Sequence, residues 1–261
     1  MQAKERFKDR FKARFLAGAL MLLAAQVAAA AEIKVLTAGA MREVVLAAIP
    51  EFEQATGHKV VVQNATAGAL RQRIDAGEPV DVAVITPAAL DELAAKGRIV
   101  PGSRVDLARV GVGVVIKLGA PLPEIGTVEA FKRTLLAAKS VAYIDPESGG
   151  SSGIYVARML ERLGIADAIR PKAVLVRGGY VAERVIKGDA EIGLHQISEI
   201  LAVKDARLVG PLPAEIQNYT TYAAAIGAAT TDAAAAKALI AILAGPSVET
   251  MLKARSMERA R

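Results

Sequence analysis

Apolar and polar positions along this chain follow two different periods. Short apolar runs read as strands, and stretches with apolar residues three and four apart read as helices. After residue 30 the two alternate. The run "EIKVLTAG" precedes the amphipathic "AMREVVLAAIPEFEQATG", "KVVVQNAT" precedes "AGALRQRIDAGEP", and "VDVAVIT" precedes "PAALDELAAKGRI". Strand and helix follow one another three times, which predicts right-handed βαβ units and a parallel sheet.

The pattern then changes. "RVDLARVGVGVVIKLG" reads as one long extended segment, and a second α/β block follows it. That block runs through "TVEAFKRTLLAA", "SVAYID", "AVLVRGG", "YVAERVIKGD" and "EIGLHQI". "EIQNYTTYAAAIGAA" reads as a second long extended segment before closing helices in "DAAAAKALIAILAGPSVETMLKARS". The expected fold class is therefore α/β, with two lobes joined by two crossing strands and a ligand cleft between them. Residues 31–110 with 215–261 would form the first lobe, and residues 111–214 the second.

The first 30 residues stand apart. A basic stretch, "KERFKDRFKAR", precedes the apolar "FLAGALMLLAAQVAAA" and ends in small residues. This is the layout of a cleavable signal peptide, with cleavage expected near Ala30 or Ala31 and a periplasmic destination. Six basic and two acidic residues stand here, so four of the six net positive charges belong to this segment and +2 to the rest. With no basic cluster in the body and an aromatic content of 4%, nucleic acid is not an expected partner. The absence of cysteine excludes disulfides and thiolate metal sites. No HExxH or P-loop pattern and no Ser-His-Asp triad spacing occurs, so no metal or cofactor is expected, and hydrolase chemistry is disfavoured. The expected state is a monomer.

Chemistry concentrates in "YIDPESGGSSGIYVARMLERLG", residues 143–164, where an apolar run ends in small residues at the mouth of a helix. A helix start carries backbone N–H groups without intrahelical partners and partial positive charge, which suits an anion. A serine-capped turn with no ligand is the alternative. The expected ligand contacts here are Ser151 and Ser152, with Tyr155 on the following turn.

The segments "AEIKVLTAGAMREVVLAAIPEFEQATGHKVVV", "ATAGALRQRIDAGEPVDVAVI", "YIDPESGGSSGIYVARMLERLGI" and "EIGLHQISEI" resemble, in the same order, the periplasmic molybdate-binding proteins of ABC transporters. The resemblance implies a type II periplasmic binding protein fold and an ABC permease as partner. In that family, serine hydroxyls and backbone N–H groups at two helix starts hold the oxyanion. Matched motif by motif, the serine positions fall on Ala40, within Gly39-Ala40-Met41, and on Ala67, before Gly68. The second lobe's small-residue position falls on Ser152 and its tyrosine on Gln196. The hydroxyls are lost while the backbone donors stay, which favours a carboxylate ligand over molybdate or tungstate. Arginines beside these loops could bind carboxylates in bidentate fashion, namely Arg42, Arg71 and Arg177.

Relatives of the molybdate-binding proteins that depart from these serines include aconitate isomerases, which move an allylic proton to interconvert cis- and trans-aconitate. Two classes of function are therefore expected. One is a solute-binding protein for a small anion, foremost a di- or tricarboxylate. The other is an isomerase on the same scaffold, with His195 as proton carrier and Glu199 as a candidate carboxylate base.

Overall fold

A computed structural model of the chain describes residues 31–260, so the export segment read over residues 1–30 lies outside the described residues. The three predicted βα repeats are β1 (Glu32–Ala38), α1 (Arg42–Thr56), β2 (Lys59–Ala65), α2 (Ala67–Asp75), β3 (Val82–Ile85) and α3 (Pro87–Ala95). Val35 of β1 stands opposite Val62 of β2 on one side and Val82 of β3 on the other, all in parallel register. All four residues of β3 are buried, as expected of an apolar strand covered on both faces.

The long extended segment is β4 (Val105–Lys117). It is followed by α4 (Val128–Ala137), β5 (Val141–Ile144), α5 (Ser151–Arg162), α6 (Ala166–Ile169), β6 (Ala173–Val176) and α7 (Val181–Lys187). Then come β7 (Ile192–Gln196), α8 (Ile197–Ile200), β8 (Ala206–Pro211), β9 (Tyr219–Ile226), α9 (Ala233–Ala244), α10 (Glu249–Ala254) and β10 (Met257–Arg259). The strand order is β2-β1-β3-β9-β4-β7-β5-β6, with β8 and β10 also paired to β4.

β4 joins the two halves of this sheet. Its first part pairs antiparallel with β9, Val110 opposite Thr220. Its last part pairs with β7 and β8, Gly113 opposite His195. The core divides accordingly. Leu36, Phe52, Val84, Val110 and Leu239 belong to one apolar cluster. Val112, Val114, Phe131, Leu160 and Leu194 belong to another.

The second crossing segment, read as extended from Glu215, is shorter than expected: Ala214–Ile216 form a single 3-10 turn and β9 starts only at Tyr219. β8 ends before it at Pro211, and Pro211 and Pro213 have no N–H to donate, so no continuous ladder joins β8 to β9. β8 and β10 are short and carry no alternation long enough to mark them in the sequence. Among the described residues no single helix is long and apolar enough to cross a membrane.

The small-residue stretch after β5 is a built turn. Asp145 accepts the N–H of Glu147 at 3.0 Å, Pro146–Ser148 form a 3-10 turn, and Gly149 takes φ 72°. Gly153, in the first turn of α5, lies against β5 so closely that a Cβ would stand 2.2 Å from the Ile144 carbonyl oxygen. Gly153→Ala should therefore push α5 off the sheet and cost about 1–3 kcal/mol. That corresponds to a fall in Tm of several degrees in a thermal melt at roughly 2–4 °C per kcal/mol. An unchanged Tm would mean that the helix start is not held by this contact.

Candidate functional site

Where the two halves of the sheet meet, the starts of three long helices face one cavity. Gly39 and Ala40 lead into α1, Thr66 and Ala67 open α2, and Ser151 and Ser152 open α5. Tyr180 and Gln196, the residues before α7 and α8, also line it, and Tyr222 of β9 closes one side. The cavity measures about 40 Å³. No lysine or arginine lines it, so its positive potential comes from backbone N–H groups at helix starts.

Two titratable groups meet inside. His195 at the end of β7 and Glu199 in α8 are four residues apart, and the strand-to-helix turn brings His195 Nε2 within 3.2 Å of Glu199 Oε2. Both are buried. Burial pushes the Glu199 carboxyl up to about 8 and the His195 imidazole down to about 3, because each charged form loses its water. Near neutral pH the pair thus holds a protonated carboxyl against a neutral imidazole. The Glu199 carboxyl packs against Gly39, where a Cβ would stand 2.3 Å from Glu199 Oε1 and make the carboxyl shift. Burial also raises the phenols of Tyr180 and Tyr222, with the Glu199 charge adding to it, so both rings keep their protons.

Three buried polar atoms around this cavity have no hydrogen-bond partner: Tyr180 Oη, His195 Nδ1 and Gln196 Oε1. Buried polar groups are almost always paired, so this set calls for a polar partner, ligand or water, inside the cavity. Gln196 Nε2 donates to Thr220 Oγ1 at 2.9 Å and reaches Tyr222 Oη at 3.5 Å. The Tyr180 phenol lies within electrostatic reach of Arg42 but makes no well-formed bond to it.

The two halves are latched beside the cavity. The Gly68 N–H donates to the Gly149 carbonyl at 3.0 Å, Thr66 Oγ1 donates to the Ser148 carbonyl, and Ser198 Oγ donates to the Ala40 carbonyl at 3.0 Å. A Cβ on Gly68 would stand 2.6 Å from Gly149 Cα, so the latch requires glycine on both sides.

Of the residues read from the sequence as ligand contacts, Gly39, Ala40, Ala67, Ser151, Ser152, His195 and Gln196 line the cavity. Five others do not. Met41 is buried in the apolar core under α1. Gly68 is occupied by the latch. Arg71 pairs with Glu92 on α3 at 3.3 Å. Tyr155 donates its hydroxyl to the Ile216 carbonyl. Arg177 points outward, 82% exposed, and donates from Nε to the buried Asp145 carboxylate at 3.0 Å. The pattern overlooked Asn64, Thr66, Tyr180 and Tyr222. Tyr180 follows the Gly178-Gly179 loop at a strand's carboxyl end, a position that could have signalled it. Among the described residues no group of three His, Asp or Glu side chains is placed to hold a metal.

A curled mixed sheet in two halves, strands crossing between them and a ligand cavity at their junction define a type II periplasmic binding protein fold. The chain belongs to the bacterial extracellular solute-binding protein family, which it matches over residues 33–257. It is 35% identical over 240 residues to an aconitate isomerase of Pseudomonas sp, covering 87% of this chain and 88% of that one. It is 29% identical over 253 residues to the molybdate-binding protein of Azotobacter vinelandii, covering 92% and 93%. The solved structure of the Azotobacter vinelandii periplasmic molybdate-binding protein superposes with a TM-score of 0.72 at 21% identity, covering 88% of this chain and all of that one.

Two outcomes test this geometry. Gly68→Ala should hold the halves apart, seen as a larger radius of gyration in small-angle scattering; an unchanged radius would show that the Gly68–Gly149 contact does not set the closed form. The second concerns pH. Glu199 binds its proton more tightly folded than unfolded, so its contribution is present below pH 4.5 and is lost as pH rises through about 8. His195 has the opposite sign, its contribution being present above pH 6.5 and lost as pH falls through about 3. Between 4.5 and 6.5 the two oppose each other, so the alkaline loss from 6.5 to 8 belongs to Glu199. Glu199→Gln should flatten Tm over that window relative to the parent protein, and parallel curves would contradict a raised Glu199.

Proposed function

We propose that this cavity binds a small di- or tricarboxylate and moves one of its allylic protons, interconverting cis- and trans-aconitate. The observation that carries the reading is the buried His195–Glu199 pair, which shares one proton beside unpartnered polar atoms at converging helix starts. Backbone donors at α1, α2 and α5 suit carboxylates, and a neutral Glu199 does not repel them. Turning the Gln196 amide over would let its oxygen accept from the Thr220 and Tyr222 hydroxyls and present its NH2 to the ligand. Ala40 and Ala67 offer no hydroxyls to a tetrahedral oxyanion, which counts against molybdate. The 35% identity to an aconitate isomerase supports the same choice.

The proton step is a relay. Glu199 Oε1 takes the proton from the substrate's CH2 while the proton on Oε2 passes to His195 Nε2. A C–H and an O–H bond break, an O–H and an N–H bond form, and the electron pair delocalises over the allyl carbons into the flanking carboxylates. Reversal delivers a proton to the other end of the allyl unit, so the double bond has moved and no proton is gained or lost overall.

The halves 31–110 with 215–261 and 111–214 would act as the closing lobes. Periplasmic export and a monomeric state complete the reading, and the family's extracellular description supports export. Binding without turnover, with delivery to an ABC permease, is the second reading, favoured by the solute-binding fold itself.

The test is incubation with trans-aconitate in D2O, followed by NMR. Deuterium uptake and appearance of the cis isomer are expected. Glu199→Gln should lower turnover by about 10²–10⁴-fold, the usual range for a lost acid–base group, while still binding the carboxylate. Affinity should fall as pH rises through about 8, where Glu199 ionises, and not in the Gln variant. Binding with no exchange would select the transport reading. Tight molybdate binding with no carboxylate binding would overturn both.

A further inference from the structure

A second chamber lies immediately outside the cavity. This open groove of about 450 Å³ is walled by Thr86 and Pro87 at the start of α3, by Tyr219 and Thr220 of β9, and by α5. Ser151 lines both spaces, so the groove and the cavity share a wall. Ser151, Ile154, Tyr155 and Arg158 fall along one face of α5, three and four residues apart, and all four line the groove.

The groove is cationic where the cavity is not. No aspartate or glutamate lines it. Arg158 is exposed and, among the described residues, has no carboxylate partner. Arg162 lies over the Tyr155 ring with its guanidinium carbon 5.4 Å from the centroid and donates to the Tyr155 hydroxyl at 3.2 Å, again without a carboxylate. Arg109 lies over the Tyr219 ring at 5.0 Å, but its charge is met by Glu258 at 2.6 Å. An unpaired guanidinium inside the groove, with a second on its rim, sets a positive field beside the Ser151 wall shared with a cavity that lacks any cationic side chain among the described residues.

The geometry points to Arg158 as the residue that captures the outer carboxylate of a polycarboxylate whose reacting end sits at Glu199, with the groove as the path of approach. This rests on the carboxylate reading above and adds the residue that distinguishes a tricarboxylate from a dicarboxylate. Guanidinium suits the role because it offers two parallel N–H donors to one carboxylate and keeps its charge at every physiological pH.

Calorimetry with trans-aconitate and with itaconate, which keeps the CH2 end and the central carboxylate but lacks the outer carboxylate, tests it on the full mature chain. Arg158→Gln should weaken trans-aconitate binding about 10- to 100-fold, the range of a lost charge-assisted hydrogen bond, and leave itaconate within about twofold. Arg158→Lys should fall between the two. Tm should not move, because the side chain is exposed and unpaired. Equal weakening of both ligands, or no weakening of either, overturns the assignment while the carboxylate reading stands. If the parent protein binds neither ligand, the carboxylate reading fails and the role of Arg158 falls with it.

Discussion

A carboxyl group buried in a cavity without a cation has to keep its proton or find someone to share it with. Glu199 is in that position, and much of the surrounding structure follows from it. Glu199 Oε1 takes up the space that a Cβ at residue 39 would occupy, so a side chain there would make the carboxyl move. His195 sits 3.2 Å from Oε2, buried and neutral, as the partner with which the proton can be exchanged. Tyr180 and Tyr222 keep their protons in the same dry surroundings. A cation at this spot would fix Glu199 as a carboxylate and end its capacity to give and take a proton. The absence of lysine and arginine from the cavity wall therefore belongs to the same design as the pair itself.

Excluding side-chain cations leaves the ligand's charge to be met by other means, and the fold supplies them. Each βα junction in a parallel sheet aims a helix start outward from the carboxyl end of its strand. β4 carries one half of the sheet into register with the other, so such junctions from both halves point at one another. The Gly68–Gly149 contact then sets how close they come. Two backbones touching at Cα is a sharper limit than two side chains touching, because nothing at the contact can rotate away.

Much of the fold was legible in the sequence, and the reason is local. β1, β3 and the helices after them read as unbroken apolar or amphipathic runs, because a strand covered on both faces needs no polar positions. β8 and β10 did not, since their pairing is supplied by the long neighbour β4 and asks little of their own residues. The site was legible only in part. Gly39, Ala67, Ser151 and His195 stand out as glycine, small residues or a rare histidine at strand–helix junctions. Tyr222 is hidden in "YTTYAAAI", where one face of an extended strand resembles any other. Arg177 misled for a physical reason. A strand's carboxyl end does point to ligand, but Asp145 is buried and takes the guanidinium for itself, and its burial cannot be read from Asp145-Pro146.

On the proposed reading, the lack of hydroxyls at Ala40 and Ala67 and the presence of the His195–Glu199 pair belong together. A tetrahedral oxyanion is held by many short donors and undergoes no chemistry, so a site built for it profits from hydroxyls and suffers from a carboxyl group that can ionise. A carboxylate with an acidic C–H makes the opposite demand. It needs a few donors at its ends, an apolar wall along its carbons, and one group poised between acid and base at the carbon that reacts. On the proposed reading, alanine at positions 40 and 67 supplies the wall and keeps the backbone N–H groups in place, and Glu199, held neutral by burial, supplies the poised group. On that reading, moving the proton of a bound anion calls on two features of the cavity: a wall without hydroxyls at Ala40 and Ala67, and a proton shared between His195 and Glu199.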